Sequence, residues 1–314
     1  MILNKNEAIW VASLLATNRY KILKKVDMAG MTLPVSVGGE KTALFIDVET
    51  TGLDREKDKV IEIGMQQFHF DREDKLVGLG DSYQGFQDPL EPLSADVERI
   101  TGITNDDLKD KQLDEIAMNK IADGSKLILA HNASFDRPFI ERLLPQTKDM
   151  AWACSMKDVP WDDWGIKSKS LDYILMQYGL YHDAHRALND VEACIQLLAT
   201  TLEEDNRTIL DHLLKTARKP TFFLLLTQTP ISFKDQLKAQ GCQWYPEQKT
   251  MPKGWGRVFG EYEDMLNFMD QVQTSVGQVD AFYCKETAFQ RYKLHREFHQ
   301  FTKIDARGKQ TNDY

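Results

Sequence analysis

Cysteine is scarce in this chain, and what there is does not cluster. Cys154, Cys194, Cys242 and Cys284 lie far apart with no CxxC pair. That spacing argues against disulfides and against a zinc site, and it fits a reducing cytoplasm. Long apolar runs are also missing. The longest near the start, Ile9 to Ala16, is too short to cross a bilayer. Only Lys5 precedes it with positive charge, and no small-residue cleavage site follows, so neither a signal peptide nor a membrane anchor is expected. Internal repeats and low-complexity stretches are absent as well.

A basic surplus is the next absence. The net charge is −9, which looks wrong for a nucleic-acid binder. The charge is uneven, however. Residues 215–314 carry 15 Lys+Arg against 11 Asp+Glu, and the other 214 residues carry 24 against 37. Acidic metal sites would raise the negative count of a nuclease domain and be offset by the cations they bind. Plain solubility explains −9 equally well, so charge does not decide the substrate. With 42% hydrophobic and 28% charged residues in 314 positions, the composition is that of a globular protein long enough for two domains.

Residues 5–25 have apolar positions (Ala8, Val11, Leu14, Leu15, Ile22, Leu23) near helical spacing. This N-terminal helical extension, residues 1–41 with a Gly/Pro connector, is expected to pack on the main domain. Strands are expected at 42–48, Val60–Phe70 and Leu76–Phe86, joined by short polar turns as an antiparallel meander. Ser94 opens a helix that Gly102-Ile103-Thr104 interrupts. Lys126–Ala130 is a wholly apolar strand and therefore an internal one. A helix through Leu144 follows it, then a fifth strand at Ala151–Ser155, a helix at Ser170–Tyr178 closed by Gly179, and a long helix from Ala187 to Leu202. Strands followed by strand–helix alternation predict a mixed α/β sheet with helices on its faces. The domain reading is 42–203, a linking helix within 204–220, and a small α+β module over 221–314. In that module Phe222–Leu226, Gln243–Tyr245 and Trp255–Phe259 read as strands, and Phe233–Gln240 and Tyr262–Val272 as helices.

Five residues stand apart from this patterning. Asp47 and Glu49 leave one face of the first strand, two residues apart. Folding alone gives no reason for two like charges there, whereas a bound divalent cation does. Asp136 opens the helix after the internal strand. His185 lies on the loop before the last helix of the domain, and Asp190 sits one turn into it. All five occupy the ends of elements, where binding residues collect. Hard oxygen ligands suit Mg²⁺ or Mn²⁺, two of which, ~3.5–4 Å apart, support in-line displacement at phosphorus. A histidine, with its reference pKa of ~6.5, suits the proton transfer this needs.

Taken in order, Asp47-Val48-Glu49-Thr50-Thr51-Gly52, His131-Asn132-Ala133-Ser134-Phe135-Asp136 and His185-Arg186-Ala187-Leu188-Asn189-Asp190 resemble the DEDDh 3′–5′ exonucleases. That superfamily includes the proofreading epsilon subunit of bacterial DNA polymerase III. The resemblance covers residues 42–203 and implies a ribonuclease H-like fold, a mixed five-stranded sheet flanked by helices. It also implies that Asp47, Glu49, Asp136 and Asp190 hold two divalent cations, Mg²⁺ or Mn²⁺, and that His185 is the general base. Thr50, Thr51, Gly52 and Leu53 would meet the 3′-terminal nucleotide through backbone groups and an apolar wedge. Asn132 and Phe135 complete the candidate substrate contacts, although Asn132 better suits fixing its loop and Phe135 the core. His131, His182 and His212 read as structural or exposed.

The expected activity is metal-dependent hydrolysis of DNA from single-stranded 3′ ends to nucleoside monophosphates. RNA trimming is the alternative, and a non-catalytic nucleic-acid-binding protein on the same fold is a further one. In the C-terminal module, basic residues among aromatics (Lys234, Lys238, Trp244, Lys249, Lys253, Trp255, Arg257) suit either single-strand tracking or, for the tryptophans, a small core. Gln228-Thr229-Pro230-Ile231-Ser232-Phe233 resembles peptides that bind sliding clamps, in a pattern short enough to arise by chance. Chance is the better reading of that match, so the expected partner is the DNA or RNA 3′ end, with a polymerase or sliding clamp as a weaker expectation and no membrane.

Overall fold

A computed structural model describes residues 5–277 and 279–304; the polar tail Arg307–Tyr314 lies outside the described residues. The chain divides into two compact units, one up to Thr216 and one from Ala217.

In the first unit, helix α1 (Lys5–Leu15) and a short strand β1 (Lys24–Lys25) precede β2 (Lys41–Thr50), β3 (Val60–Phe70) and β4 (Leu76–Phe86). Then come α2 (Ala95–Thr101), α3 (Asn105–Leu108), α4 (Glu115–Asp123), β5 (Leu127–Ala130), α5 (Ala133–Leu143) and β6 (Ala151–Cys154). The unit ends with α6 (Leu171–Gln177), β7 (Leu180–Tyr181), α7 (Ala187–Leu198) and most of α8 (Ile209–Ala217). The sheet order is β4-β3-β2-β5-β6. The first three strands are antiparallel neighbours, and β5 and β6 run parallel to β2. Parallel neighbours need a crossover, and α5 supplies the one between β5 and β6. This is the expected ribonuclease H-like mixed sheet.

Helices cover the sheet, so its middle is buried on both faces. Ala43, Leu44, Phe45 and Ile46 of β2 are at most 1% exposed. Alternation returns only at the end of β2, where Asp47 and Glu49 emerge half-buried around buried Val48. Helix α7 lies on β3 and β2. Its first turn comes so close that a Cβ on Gly64 would stand 2.4 Å from the Ala187 carbonyl carbon and from the Leu188 nitrogen. Only glycine permits that seat. The break between α2 and α3 is as read: Ser94 caps α2, Gly102 closes it with φ +67, and Thr104 opens α3 in a capping box with Asp107.

Two helices are shorter than their apolar patterns suggest. Helix α7 stops at Leu198, and α8 begins only at Ile209, because Thr201 and Thr208 pair across the intervening turn. The N-terminal helix also departs from expectation. It ends at Leu15, and Ile9, Trp10, Leu14 and Leu15 are 41–65% exposed instead of packed on the main domain. The end of the stretch read as helix forms β1 instead, which pairs in parallel with β7 and helps tie the N-terminal segment down.

The second unit contains β8 (Thr221–Thr227), α9 (Lys234–Ala239), β9 (Gln243–Tyr245), β10 (Gly254–Phe259), α10 (Tyr262–Val276), β11 (Asp280–Glu286) and β12 (Thr302–Ile304). The sheet order is β12-β11-β8-β10-β9, antiparallel throughout. The first six elements form a split βαββαβ arrangement. One core joins Leu224, Leu226 and Trp255 to Leu237, Met265, Phe268 and Met269 of the helices. A second core on the other sheet face holds Phe223, Leu225, Met251 and Cys284, with Tyr245, Phe298 and Phe301 packed on it. The tryptophans divide: Trp255 is buried, and Trp244 stands 48% exposed, edge-on to it at 5.4 Å. Arg257 lies over the rings of Phe259 and Phe268 at 4.7 and 4.8 Å, so it serves packing.

Candidate active site

The carboxylates converge where the folding of β2, α5 and α7 sends them. One oxygen each from Asp47, Glu49 and Asp190 lies within 4.8 Å of the others. Asp136 sits in the first turn of α5 and is 2% exposed. Its carboxylate accepts from the Val48 backbone N–H, between the two β2 acids, and from its own N–H. Asp190 occupies the first turn of α7. A fifth carboxylate, Glu62, stands across the ladder from Glu49 and is fully buried.

Burial and mutual repulsion disfavour charge throughout this group. Burial pushes Glu49 up to about 7, and the charges of Asp190 and Glu62 add to it, while Arg186 opposes them. Asp136 is pushed up to about 8, chiefly by burial, although its two backbone hydrogen bonds pull the other way. Asp47 is raised well above the carboxylate range by burial, then by Asp136, Asp190, Glu49 and Glu62. Three converging hard-oxygen donors with a fourth beside them fit a divalent cation of the Mg²⁺ or Mn²⁺ kind, which would reverse every one of these shifts.

The two histidines of the loop before α7 are placed otherwise than the spacing suggests. His185 is exposed, its backbone is left-handed with φ +64, and it makes no hydrogen bond to any of the carboxylates. His182 is the imidazole in contact with the group. Its side chain is 3% exposed, its Nε2 is hydrogen-bonded to Asp190 Oδ1, and its Nδ1 lies 3.5 Å from Asp172 Oδ1. Reading His182 as structural or exposed therefore missed a residue that touches the site. The only signal was its place three residues before His185 on the same short loop. His131 is structural as read: Nε2 donates to the Lys169 carbonyl at 2.8 Å and Nδ1 accepts from Ser155 Oγ at 2.9 Å.

The candidate substrate residues follow β2 or lie at the start of α5. Thr50 donates its hydroxyl to the Gly52 carbonyl at 2.6 Å, and Thr51 donates to Asp58 Oδ1 at 3.0 Å. The Asp58 carboxylate fills the space a Cβ on Gly52 would need. Leu53 projects from this turn, 83% exposed. Arg142 clamps the turn through the Glu56 and Asp58 carbonyls, and Arg55 joins it to α5 through the Ser134 carbonyl. Asn132 precedes α5 without a side-chain cap bond, and Phe135 packs on Phe139 at 5.1 Å.

Known proteins are similar to this chain. The family model RNase T, described as an exonuclease, matches residues 44–198. The DNA polymerase III subunit epsilon of Treponema pallidum is 30% identical over 199 residues, covering 60% of this chain and 89% of that protein. The PolC-type DNA polymerase III of Staphylococcus epidermidis is 28% identical over 277 residues, covering 78% of this chain but only 19% of that protein's length. Among solved structures, E. coli exonuclease I in complex with a dA16 oligonucleotide covers 70% of this chain and 63% of that one, with 16% identity and a TM-score of 0.45. No helix among the described residues is long and apolar enough to cross a membrane.

Proposed function

The chain belongs to the exonuclease family of ribonuclease T and the DNA polymerase III epsilon subunit, and we propose that this 3′–5′ exonuclease hydrolyses DNA from single-stranded 3′ ends to nucleoside monophosphates. The observation that carries this reading is the convergence of Asp47, Glu49 and Asp190 within 4.8 Å beside buried Asp136.

In this reading Asp47, Glu49, Asp136 and Asp190 hold two divalent cations, Mg²⁺ or Mn²⁺. Bound there, the pair supplies Lewis-acid activation of the attacking water and charge neutralisation at the leaving 3′ oxygen. Asp136 is held beside the β2 acids by the Val48 N–H. His185 takes the proton of the attacking water, which requires its loop to turn inward from the exposed position. His182 holds Asp190 in orientation through its Oδ1. The turn at Thr50–Leu53 lies next to the acids, and Leu53 is the apolar group free to wedge beside a terminal base.

DNA is favoured by the matches to polymerase-associated relatives. RNA is the alternative, since a single 2′-OH contact separates the two. The polymerase named in those relatives is the proposed partner class. The clamp-peptide resemblance gains little: Gln228 is bonded to Asp280 and followed by a short 3₁₀ turn, though Ile231 is 83% exposed. The test is cleavage of 3′- and 5′-labelled DNA and RNA strands with Mg²⁺ or Mn²⁺, with and without EDTA. Stepwise shortening of the 5′-labelled DNA strand, lost in EDTA and in Asp47→Ala, is expected. Failure to degrade either polymer would sink the enzyme reading.

A further inference from the structure

Glu62 is the carboxylate that the exonuclease reading leaves without work. It lies inside β3, fully buried, opposite Glu49. Its Oε1 accepts from Gln84 Nε2 at 2.6 Å and, more loosely, from Arg186 Nε at 3.4 Å. Its Oε2 is buried with no hydrogen-bond partner. A buried carboxylate oxygen left unpaired costs free energy, so the arrangement as it stands is half made. The missing donor is close at hand. Arg186 keeps 45% of its side chain exposed, rests its guanidinium over Phe86 at 5.4 Å, and meets Glu62 through one nitrogen only. A guanidinium and a carboxylate pair best through two parallel hydrogen bonds.

Arg186 is also the residue between His185 and α7. On its C-terminal side the backbone is pinned, because Ala187 and Leu188 sit against Gly64, two residues along β3 from Glu62. On its N-terminal side His185 is exposed in a left-handed conformation. The chain is fixed at Ala187, and the next residue outward already meets Oε1 of the carboxylate whose Oε2 is unpaired.

We propose that Glu62 and Arg186 form a latch: closing to a two-bonded ion pair draws the Arg186 side of the loop toward β3 and brings His185 from its exposed position to the carboxylate cluster. Glu62 is then a positioning residue that acts through His185 and touches neither cation nor substrate. This inference rests on the exonuclease reading with His185 as base.

The test compares wild type, Glu62→Gln, Arg186→Lys, His185→Ala and Glu62→Gln/His185→Ala on a 5′-labelled single-stranded oligonucleotide with Mn²⁺. Glu62→Gln keeps the shape and loses the ion pair. Arg186→Lys keeps the charge at a half-exposed position and loses the fork, so it reports even where Glu62→Gln folds poorly. Both are expected to lower kcat by about 10- to 100-fold with KM little changed, since a misplaced base costs rate and not binding. In the His185→Ala background Glu62→Gln is expected to cost less than about twofold more, as for residues acting in one unit. Wild-type kcat in both single variants, a loss confined to KM, or a full further loss in the His185→Ala background each overturns the latch while wild type still cleaves. Wild type that cleaves no 3′ end removes the exonuclease reading and the latch with it.

Discussion

The carboxylate cluster makes a prediction about stability that runs against the usual behaviour of acidic residues. In the metal-free fold Glu49 keeps its proton up to about 7, whereas in the unfolded chain it releases it at the ordinary 4.5. Between those values the folded state binds more protons than the unfolded state, so stability falls as pH rises through that window. Asp136, pushed up to about 8, and Asp47, raised well above its ordinary range, act with the same sign. At ~1.4 kcal/mol per pH unit, Glu49 alone accounts for about 3 kcal/mol lost between roughly pH 4.5 and 7. For a unit of this size that corresponds to roughly 6–12 °C in midpoint. Thermal unfolding followed by circular dichroism at pH 5, 6, 7 and 8 should show the first unit's midpoint dropping in EDTA. Excess Mg²⁺ or Mn²⁺ should restore it most at pH 8 and least at pH 5, where protons compete for the same oxygens. Glu49→Gln should flatten the EDTA profile and raise it at pH 8. An EDTA midpoint that is level or rising from pH 5 to 8, or a Glu49→Gln profile with the wild-type slope, would refute the electrostatic account of the site.

The remaining predictions separate the roles of neighbouring groups. His185→Ala should lower kcat by about 10²- to 10⁴-fold without weakening metal binding, and His182→Ala should instead weaken Mn²⁺ binding by about 10- to 100-fold in a calorimetric titration. Equal metal affinity in both variants would remove His182 from the site. Gly64→Ala should destabilise the first unit by about 1–3 kcal/mol in denaturant unfolding and reduce activity, because the new Cβ meets backbone and not a side-chain tip. In the second unit, Trp244→Ala should weaken single-strand binding by about 1–3 kcal/mol at constant salt slope, and Lys249→Ala/Lys253→Ala should shallow the slope, if this unit tracks the strand by stacking and charge. Unchanged anisotropy titrations for both would leave Trp244 as a cover for Trp255.

Legibility in the sequence followed the strength of the physical constraint at each position. The five-stranded sheet was readable because β3 and β4 carry uninterrupted strand patterns between polar turns, and because Leu127–Ala130 offers no polar face at all. The helix ends were misjudged where uncharged residues continue past the point at which the chain turns, as at Ala199 to Leu202, since periodicity carries no information about the Thr201–Thr208 bridge. Strands β11 and β12 escaped notice for a related reason. Phe282, Tyr283 and Cys284 are covered on both sides of the sheet by α10 and by the segment around Phe298 and Phe301, so no two-residue alternation marks them.

The site divides along the same line. Asp47, Glu49, Asp136 and Asp190 were visible because each stands at an element end where folding has no use for a buried acid. Glu62 was invisible because a glutamate inside a strand pattern reads as the solvent face of that strand, and only the packing of α7 over β3 shows that it has none. His182 and His185 differ in another way. Spacing to Asp190 singles out His185, but spacing fixes only how far along the chain a residue lies, not which way a loop turns. The loop here is anchored by β7 pairing with β1 on one side and by Ala187 on Gly64 on the other. Between those anchors a left-handed His185 and a buried His182 share five residues of chain, beside carboxylates that repel one another. A site whose acids destabilise the fold on their own is poised to change when a balancing charge binds, and the segment between the two anchors is where such a change would fall.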